Sequence, residues 1–205
     1  MNYLAHALLA EPYAHSLIGN LAGDLMKGPL ERHELHPRIA DGIRRHRRID
    51  VLTDTHPDYQ ALRRLFPPGL RRVAGIVLDV VFDHLLCSHW ARFSSWDRVD
   101  FTRSVYAVLS DRHALLPAPL RERAPGWVDA DWLRVYETRE GIEAVLGRLA
   151  ARLSRRVSVT ELMAVVDTHR ESIEAAFLRV FASVQMQVDA VCAPDRTECY
   201  RGRIT

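Results

Sequence analysis

One segment of the chain places three ionisable side chains in an otherwise apolar stretch. Residues 75–87 read GIVLDVVFDHLLC, in which Asp79, Asp83 and His84 interrupt a run of hydrocarbon. Asp79 and Asp83 are four residues apart, so an α-helix stacks them on one face, with His84 about 100° further round. A buried carboxylate without a partner costs many kcal/mol, and proteins retain it only beside a cation, a metal or a dense set of hydrogen bonds. The segment therefore predicts a positive partner, either an upstream arginine or a metal ion.

A second segment uses the same residue types. From residue 40 the chain reads ADGIRRHRRIDVLTDTHP, where His46, Asp50 and Asp54 recur at intervals of four and so share one face of a helix. A solvated, charge-rich helix surface explains the arginines of this run. It explains less well the repeated Asp and His, which are ligand types for Mn²⁺, Fe²⁺ and Zn²⁺. We call His46, Asp50 and Asp54 the acidic stripe. The arginines beside it are Arg44, Arg45, Arg47 and Arg48.

A third contribution comes from the N-terminal region, with His6 in NYLAHALLA and with Asn20 and Asp24 in GNLAGDLMKG. Taken alone, a histidine in an apolar helix is usually a core residue, and an aspartate among glycines can simply end a helix. Together, the three segments resemble the way bundle-core metal sites are assembled from several helices. We therefore predict a metal site with the candidate ligands Asp24, Asp79, Asp83, His6 and His84, and with His46 and Asp50 beside them.

Composition and patterning predict one all-α domain. The chain has 205 residues, of which 48% are hydrophobic and 26% charged, and its periodicity is helical almost throughout. Residues 1–193 are expected to form a single compact multi-helix domain, and the polar tail 194–205 is expected to be poorly ordered. Breaks are predicted at glycine and proline, including Pro125-Gly126. The predicted helices are 2–10, 14–25, 36–52, 57–65, 70–90, 100–116, 117–123, 129–136, 138–152 and 159–191.

The remaining composition excludes several classes of function. The formal net charge of +2 does not call for nucleic-acid binding. No apolar run reaches the roughly 18 residues that span a bilayer, and no secretory signal is visible at the N-terminus, so we expect a cytoplasmic protein without membrane insertion. The cysteines lack CxxC spacing and are expected to be free thiols, namely Cys87, Cys192 and Cys199.

These motifs resemble those of the acyl carrier protein phosphodiesterases, hydrolases that remove 4'-phosphopantetheine from holo-acyl carrier protein. The matching stretches are NYLAHALLA, IGNLAGDLMKG, GIRRHRRIDVLTDTHP and RRVAGIVLDVVFDHLLCSHW, all within residues 2–90. The resemblance implies an all-α fold related to a divergent branch of the HD phosphohydrolases, which have a histidine and aspartate metal centre. Here the usual His-Asp doublet appears in reversed order, as Asp83-His84.

The implied reaction is hydrolysis of the diester between the carrier and pantetheine. Mn²⁺, with Fe²⁺ or another divalent cation as an alternative, would bind a phosphate oxygen and activate a water. His46 or Asp50 is expected to orient that water or accept its proton, while Arg45 or Arg48 pairs with the phosphate. The candidate ligands exceed the needs of one ion, so either two metals bind or some of these residues support the others.

The protein partner can be predicted from charge. Acyl carrier proteins are small, acidic and helical, so an arginine-rich face would speed their encounter with this enzyme. Ordinary surface arginines are the alternative interpretation. The predicted docking face consists of Arg44, Arg47, Arg63, Arg64, Arg71 and Arg72.

Two other functions remain open from the sequence. An HD-type phosphohydrolase acting on a nucleotide or alarmone would use the same metal and arginine cluster, although no sequence feature of the chain indicates recognition of a nucleobase. A non-catalytic helical interaction module would instead use the acids and histidines as surface salt bridges.

Overall fold

The computed structural model describes residues 1–151 and 157–190, and within those ranges the chain contains helices and no β-strand. The predicted all-α fold is therefore confirmed. Short 3₁₀ turns at Gly23–Leu25, Leu30–Arg32, Arg71–Val73, His113–Leu115 and Trp132–Glu137 connect the α-helices. These are α1 Tyr3–Leu9, α2 Ala14–Ala22, α3 Pro37–Thr55, α4 Pro57–Leu65, α5 Ala74–Ser88, α6 Trp90–Phe93, α7 Arg98–Asp111, α8 Ala118–Asp129, α9 Arg139–Ala150, α10 Val159–Thr168 and α11 Arg170–Asp189.

The buried apolar side chains form one continuous core. Helix α5 lies inside it and packs against α1, α4, α9 and α11. Phe82 of α5 contacts Tyr59 of α4 and Phe177 of α11 edge to face, with ring centroids 5.6 and 5.3 Å apart. The apolar segment that carries Asp79 and Asp83 is thus a core helix, as its composition predicts. Among the described residues, no helix is both long enough and apolar enough to cross a membrane.

Several predicted helix boundaries were wrong. The α-helices predicted over 70–90 and 100–116 end at Ser88 and Asp111, and two larger differences concern where a helix divides or continues. The single helix expected over 159–191 is divided at His169, whose backbone angles (φ −111°, ψ 19°) leave the helical region between α10 and α11. Helix α8 does not stop at Pro125 but continues to Asp129. Its face carrying Leu120 and Ala124 is buried in the core, and the packing of the following turn outweighs the hydrogen bond that proline removes. The predicted tail 194–205, which contains Cys199, lies outside the described residues, and so does Cys192 before it.

Helices α2 and α3 cross closely because glycine faces glycine. A Cβ on Gly19 would lie 2.4 Å from the carbonyl oxygen of Ile39 and 2.6 Å from the Cα of Gly42. A Cβ on Gly42 would lie 2.7 Å from the carbonyl oxygen of Ser16. Since the obstructing atoms belong to backbone, they cannot move aside as a flexible side chain could. The crossing matters for function because α3 carries His46 and Asp50.

Gly42→Ala is therefore expected to lower the free energy of unfolding by about 1–3 kcal/mol, through overpacking between two backbones. For a chain of this size each kcal/mol corresponds to a fall in Tm of about 2–4 °C. Thermal unfolding followed by circular dichroism measures the change. Gly147→Ala is the matched control, because that helical glycine has nothing within 4 Å of an added Cβ. It should be neutral or stabilising by up to about 1 kcal/mol, and an equal loss in both variants would contradict the role assigned to the crossing.

Candidate metal centre

Asp83 receives its positive partner from the N-terminus of α1. Its side chain is fully buried, and its oxygens accept hydrogen bonds from the backbone N–H groups of Leu4 at 2.7 Å, Ala5 at 3.2 Å and Asn2 at 3.3 Å. These donors have no partner within their own helix, and the helix dipole adds positive potential there. Burial raises the pKa of Asp83 to about 7, and the backbone hydrogen bonds act in the opposite direction. Asp83 thus fixes α1 onto α5.

Asp79 lies one turn away and has different partners. Its Oδ1 accepts hydrogen bonds from the α-ammonium group of Met1 at 2.9 Å and from the hydroxyl of Tyr59 at 2.6 Å. The same ammonium lies 3.8 Å from Oδ1 of Asp50, so Asp79 borders the acidic stripe of α3. His84 points elsewhere, because its Nδ1 lies 2.8 Å from the carbonyl oxygen of Tyr136.

Three side chains from two helices meet beside Asp79. Asp50 of α3 contacts both histidines: its Oδ1 lies 3.0 Å from Nε2 of His6 and its Oδ2 lies 3.1 Å from Nε2 of His46. The two imidazole rings stack with their centroids 3.8 Å apart. One ligand atom from each of the three residues lies within 4.8 Å of the others. Asp24 adds a further carboxylate oxygen 3.6 Å from Nε2 of His46. We call this group, His6, His46, Asp50 and Asp24, the His-Asp centre.

The orientation of His46 is set by the backbone. Its Nδ1 lies 2.8 Å from the carbonyl oxygen of Asn20, and since a carbonyl only accepts, Nδ1 carries the proton. Nε2 faces the carboxylates of Asp50 and Asp24, and it could bind a cation only after losing its proton. A histidine held at Nδ1 by a backbone carbonyl is common behind metal-binding Nε2 atoms. His6 Nδ1 is buried and has no hydrogen-bond partner among the described residues. The other ring nitrogen of His6, Nε2, is the one that faces Asp50.

Hydrogen bonds and burial compete inside the centre. Burial lowers the pKa of His46, but Asp24 and Asp50 outweigh it and raise that pKa to about 9. Burial and the nearby charge of His46 lower the pKa of His6 to about 4. Burial alone would raise the pKa of Asp50, yet the two histidines hold it well below its usual range. The pKa of Asp24 is also lowered, chiefly by its hydrogen bond with His46.

Further negative charge lies next to the centre. Burial raises the pKa of Asp54, and the neighbouring carboxylate of Asp79 raises it further, with a smaller contribution from Asp50. Like charges disfavour one another's ionised forms when no cation separates them. Oxygen and imidazole donors together suit Mn²⁺, Fe²⁺ and Zn²⁺. The donor set of the His-Asp centre therefore fits a divalent transition-metal ion.

The structure brings only some of the predicted ligands together. His6 and Asp24 lie in the centre with His46 and Asp50, and Asp79 lies at its border. Asp83 and His84 are held by the backbone contacts described above, outside the group whose ligand atoms converge. Their assignment as metal ligands stays a prediction, now without a contact that favours it.

Of the arginines on α3, Arg45 stabilises the packing of helices and Arg47 lies beside the His-Asp centre. Arg45 donates to the carbonyl oxygens of Leu9 at 2.7 Å and Val188 at 2.9 Å, so its guanidinium caps the C-terminal ends of α1 and α11. Arg47 donates to the carbonyl oxygens of Met26 and Gly28. Arg47 also lines a cavity of about 360 Å³ together with residues of the His-Asp centre. The phosphate-pairing role predicted for Arg45 or Arg48 stays a prediction, with Arg48 exposed on α3.

The other predicted docking arginines are mostly at the surface, on α3, α4 and the 3₁₀ turn before α5. Arg44 pairs with Asp41 at 2.7 Å, and Arg64 donates to the carbonyl oxygen of Gln60 at 3.2 Å. Arg63 is half-buried on α4. The remaining exposed members are Arg71 and Arg72.

Two residues near the centre were missed by sequence reasoning. Lys27 lines the 360 Å³ cavity with Asp24, and its place in the same GDLMKG stretch was a usable signal. Tyr59 is fully buried and donates to Asp79. No local pattern marks Tyr59, because the contact joins α4 to α5. Cys87, expected as a free thiol, is free and half-buried, and burial raises its pKa to about 12.

Comparison with known proteins agrees with the motifs. The family model described as acyl carrier protein phosphodiesterase matches residues 1–184. Proteins named acyl carrier protein phosphodiesterase from Enterobacter sp. (strain 638) and Serratia proteamaculans (strain 568) are each 35% identical, over 196 and 189 residues. In both cases the match covers 91% of this chain and 97% of the relative. No solved structure matches the chain, so the relation to HD phosphohydrolases stays a prediction. The chain belongs to the acyl carrier protein phosphodiesterase family.

Proposed function

We propose that this protein is a metal-dependent phosphodiesterase that hydrolyses 4'-phosphopantetheine from holo-acyl carrier protein. The products are apo-carrier protein and 4'-phosphopantetheine. The observation that carries the proposal is the convergence of His6, His46 and Asp50 beside Asp24, in a chain whose relatives carry the name of this activity. Family membership supports the phosphodiester hydrolase class, and the convergence of imidazole and carboxylate donors supports a metal.

His6, His46 and Asp50 would hold the ion, with Asp24 and Asp79 as further oxygen donors at the border. We infer Mn²⁺, which accepts oxygen and imidazole donors. Fe²⁺ or another divalent cation is the alternative, because such sites bind several metals and their occupancy follows availability. When bound, the cation supplies stabilisation of the charge that develops on the phosphoryl group and makes water a better nucleophile near neutral pH.

The protein's own residues prepare the site before substrate arrives. The carbonyl of Asn20 fixes the ring of His46, and Asp50 orients both imidazoles through separate oxygens. Asp24 is 55% exposed in its side chain, so it can orient an attacking water that enters from solvent. Lys27 and Arg47, at the adjoining cavity, place positive charge where phosphate oxygens would lie.

Mass spectrometry of a holo-carrier protein tests the proposal directly. Incubation with the purified protein and Mn²⁺ should remove the mass of 4'-phosphopantetheine, and a chelator should prevent the loss. A parallel nucleotide panel tests the nearest alternative enzyme. Turnover of nucleotides with an intact holo-carrier would overturn the proposal, and absence of bound metal with no gain of thermal stability from added metal would favour a non-catalytic module.

Docking of an acidic carrier on the arginine face predicts a salt effect specific to the protein substrate. Raising the ionic strength from about 0.05 to 0.3 M shortens the screening length and should raise the KM for holo-carrier several-fold. The rate with a small chromogenic phosphodiester should change little, because that substrate does not use the face. Steady-state kinetics on both substrates measures the effect, and equal salt sensitivity would count against docking by these arginines.

A further inference from the structure

A large groove opens beside the His-Asp centre. Its volume is about 1100 Å³, and Asp24 and Asp79 both contribute to its lining. The same lining includes apolar side chains that are partly exposed, among them Ile76, which is 40% exposed. Ligand sites in proteins are commonly apolar clefts of about 300–1,000 Å³ with a few polar groups, so this groove has the size of a small-molecule site.

Three aromatic rings form one wall of the groove. Trp127 and Trp132 stack with their centroids 4.1 Å apart and their planes 20° from parallel. Tyr3 meets both edge to face, with centroid distances of 5.0 and 4.7 Å. All three rings are half-buried, so they support one another from the sides and keep part of their surface towards solvent. Each ring is therefore oriented by its neighbours, in the stacked and edge-to-face arrangements that aromatic pairs prefer.

The backbone at this wall is held in an uncommon conformation. Asp131 has φ 46° and ψ 50°, the one non-glycine residue with positive φ among the described residues. The hydroxyl of Tyr106 accepts a hydrogen bond from the N–H of Leu133 at 2.7 Å and so holds the turn that presents Trp132. Left-handed backbone costs about 1 kcal/mol or more and persists where surrounding contacts enforce it, often at ligand sites.

We propose that this groove binds the pantetheine arm of the holo-carrier, with the aromatic wall formed by Tyr3, Trp127 and Trp132 against its apolar part. The inference rests on the proposed function and names the part of the substrate that the groove selects. The arm is an uncharged chain whose gem-dimethyl and methylene groups suit aromatic faces. Its phosphate then lies at the His-Asp centre, which shares Asp24 with the groove.

Charged side chains of both signs also line the groove. Besides Asp24 and Asp79 they are the acids Asp131 and Glu137 and the exposed arginines Arg123, Arg134 and Arg148. An acidic carrier protein at the rim would meet these arginines while its neutral arm lies along the aromatic wall. The groove would therefore distinguish a phosphopantetheinyl diester from phosphodiesters that lack the arm.

Trp132→Ala and Trp127→Ala test the groove with two readouts. Each is expected to raise the KM for holo-carrier about tenfold or more, the size of effect typical of an aromatic binding residue, and to change kcat much less than KM. Free pantetheine should quench tryptophan fluorescence of the wild-type protein and bind each variant about tenfold more weakly. Trp96→Ala is the matched control, a half-buried tryptophan outside the groove lining, and it should leave both readouts unchanged.

The possible outcomes distinguish failure of the groove proposal from failure of the proposed function. A wild-type protein that leaves holo-carrier intact refutes the proposed function. A wild type that is active, with variants that match its KM and its pantetheine affinity, refutes the groove alone. Equal weakening of apo-carrier and holo-carrier binding would show that the wall contacts carrier protein rather than the arm, and also overturns the inference. Trp132→Phe retains a ring and should keep most of the affinity, which separates lost contact from lost folding.

Discussion

Asp50→Asn is expected to lower kcat/KM for holo-carrier hydrolysis by at least about 100-fold, the loss typical of removing a major electrostatic or metal-supporting group. Asp50 is the residue that contacts both histidines of the centre, each through a different oxygen. An amide keeps the shape of the side chain but replaces one oxygen by a nitrogen that cannot bind a cation. Mass spectrometry of the carrier gives the rate, and elemental analysis of the purified variant gives the metal content, which should fall with the rate.

Asp41→Asn on the same helix is the control. Asp41 is 60% exposed and pairs with Arg44, so its substitution removes the same charge without touching the centre. It should leave metal content and kcat/KM near those of the wild type. If Asp50→Asn retained full activity and full metal, the His-Asp centre would not be the catalytic site.

Gly23→Ala is expected to lower activity by about 100-fold, because a catalytic group displaced by an ångström can cost that much. An added Cβ would lie 2.1 Å from Cγ of His46 and 2.6 Å from its Nδ1, where no real contact is possible. Gly23 has ordinary helical angles (φ −50°, ψ −49°), so alanine causes no backbone strain and the effect is steric. Either the ring or the 3₁₀ turn that carries Asp24 must move. Steady-state kinetics on holo-carrier measures the loss.

Gly69→Ala makes the same chemical change where nothing lies within 4 Å of the added Cβ. Its activity should equal that of the wild type. Thermal unfolding of both variants accompanies the kinetics, and we expect Gly23→Ala to lose about 1–3 kcal/mol while staying folded. Wild-type activity in Gly23→Ala would show that the position of the His46 ring is not critical.

Local sequence patterns predicted the helices well and their ends less well. Intervals of four along α3 aligned His46, Asp50 and Asp54 correctly, because residues on one helix share a fixed geometry. The breaks that were wrong, at Pro125 and within 159–191, lie where tertiary packing decides between continuing a helix and ending it. Local propensity does not contain that packing.

The partners of Asp79 and Asp83 show the limit of the same reasoning. The carboxylates of α5, with Asp83 buried and Asp79 half-buried, were predicted to need positive partners, and the structure supplies them. Which partners these are could not be read from spacing, since the contacts join residues 78 to 81 positions apart. For Asp83 the partner is the start of α1, and for Asp79 it is the ammonium group of Met1.

By itself, the sequence determined the all-α class, the family through its motifs, and the acidic and histidine side chains that need compensation, because periodicity and desolvation act on residues near in the chain. Only the tertiary structure decided which of those side chains meet. It placed His6 against the stripe of α3, turned Asp83 and His84 towards backbone, and set an aromatic groove beside the centre. Those arrangements depend on how the helices pack, through close approaches such as Gly19 on Gly42, and packing over long separations is not encoded in any single segment.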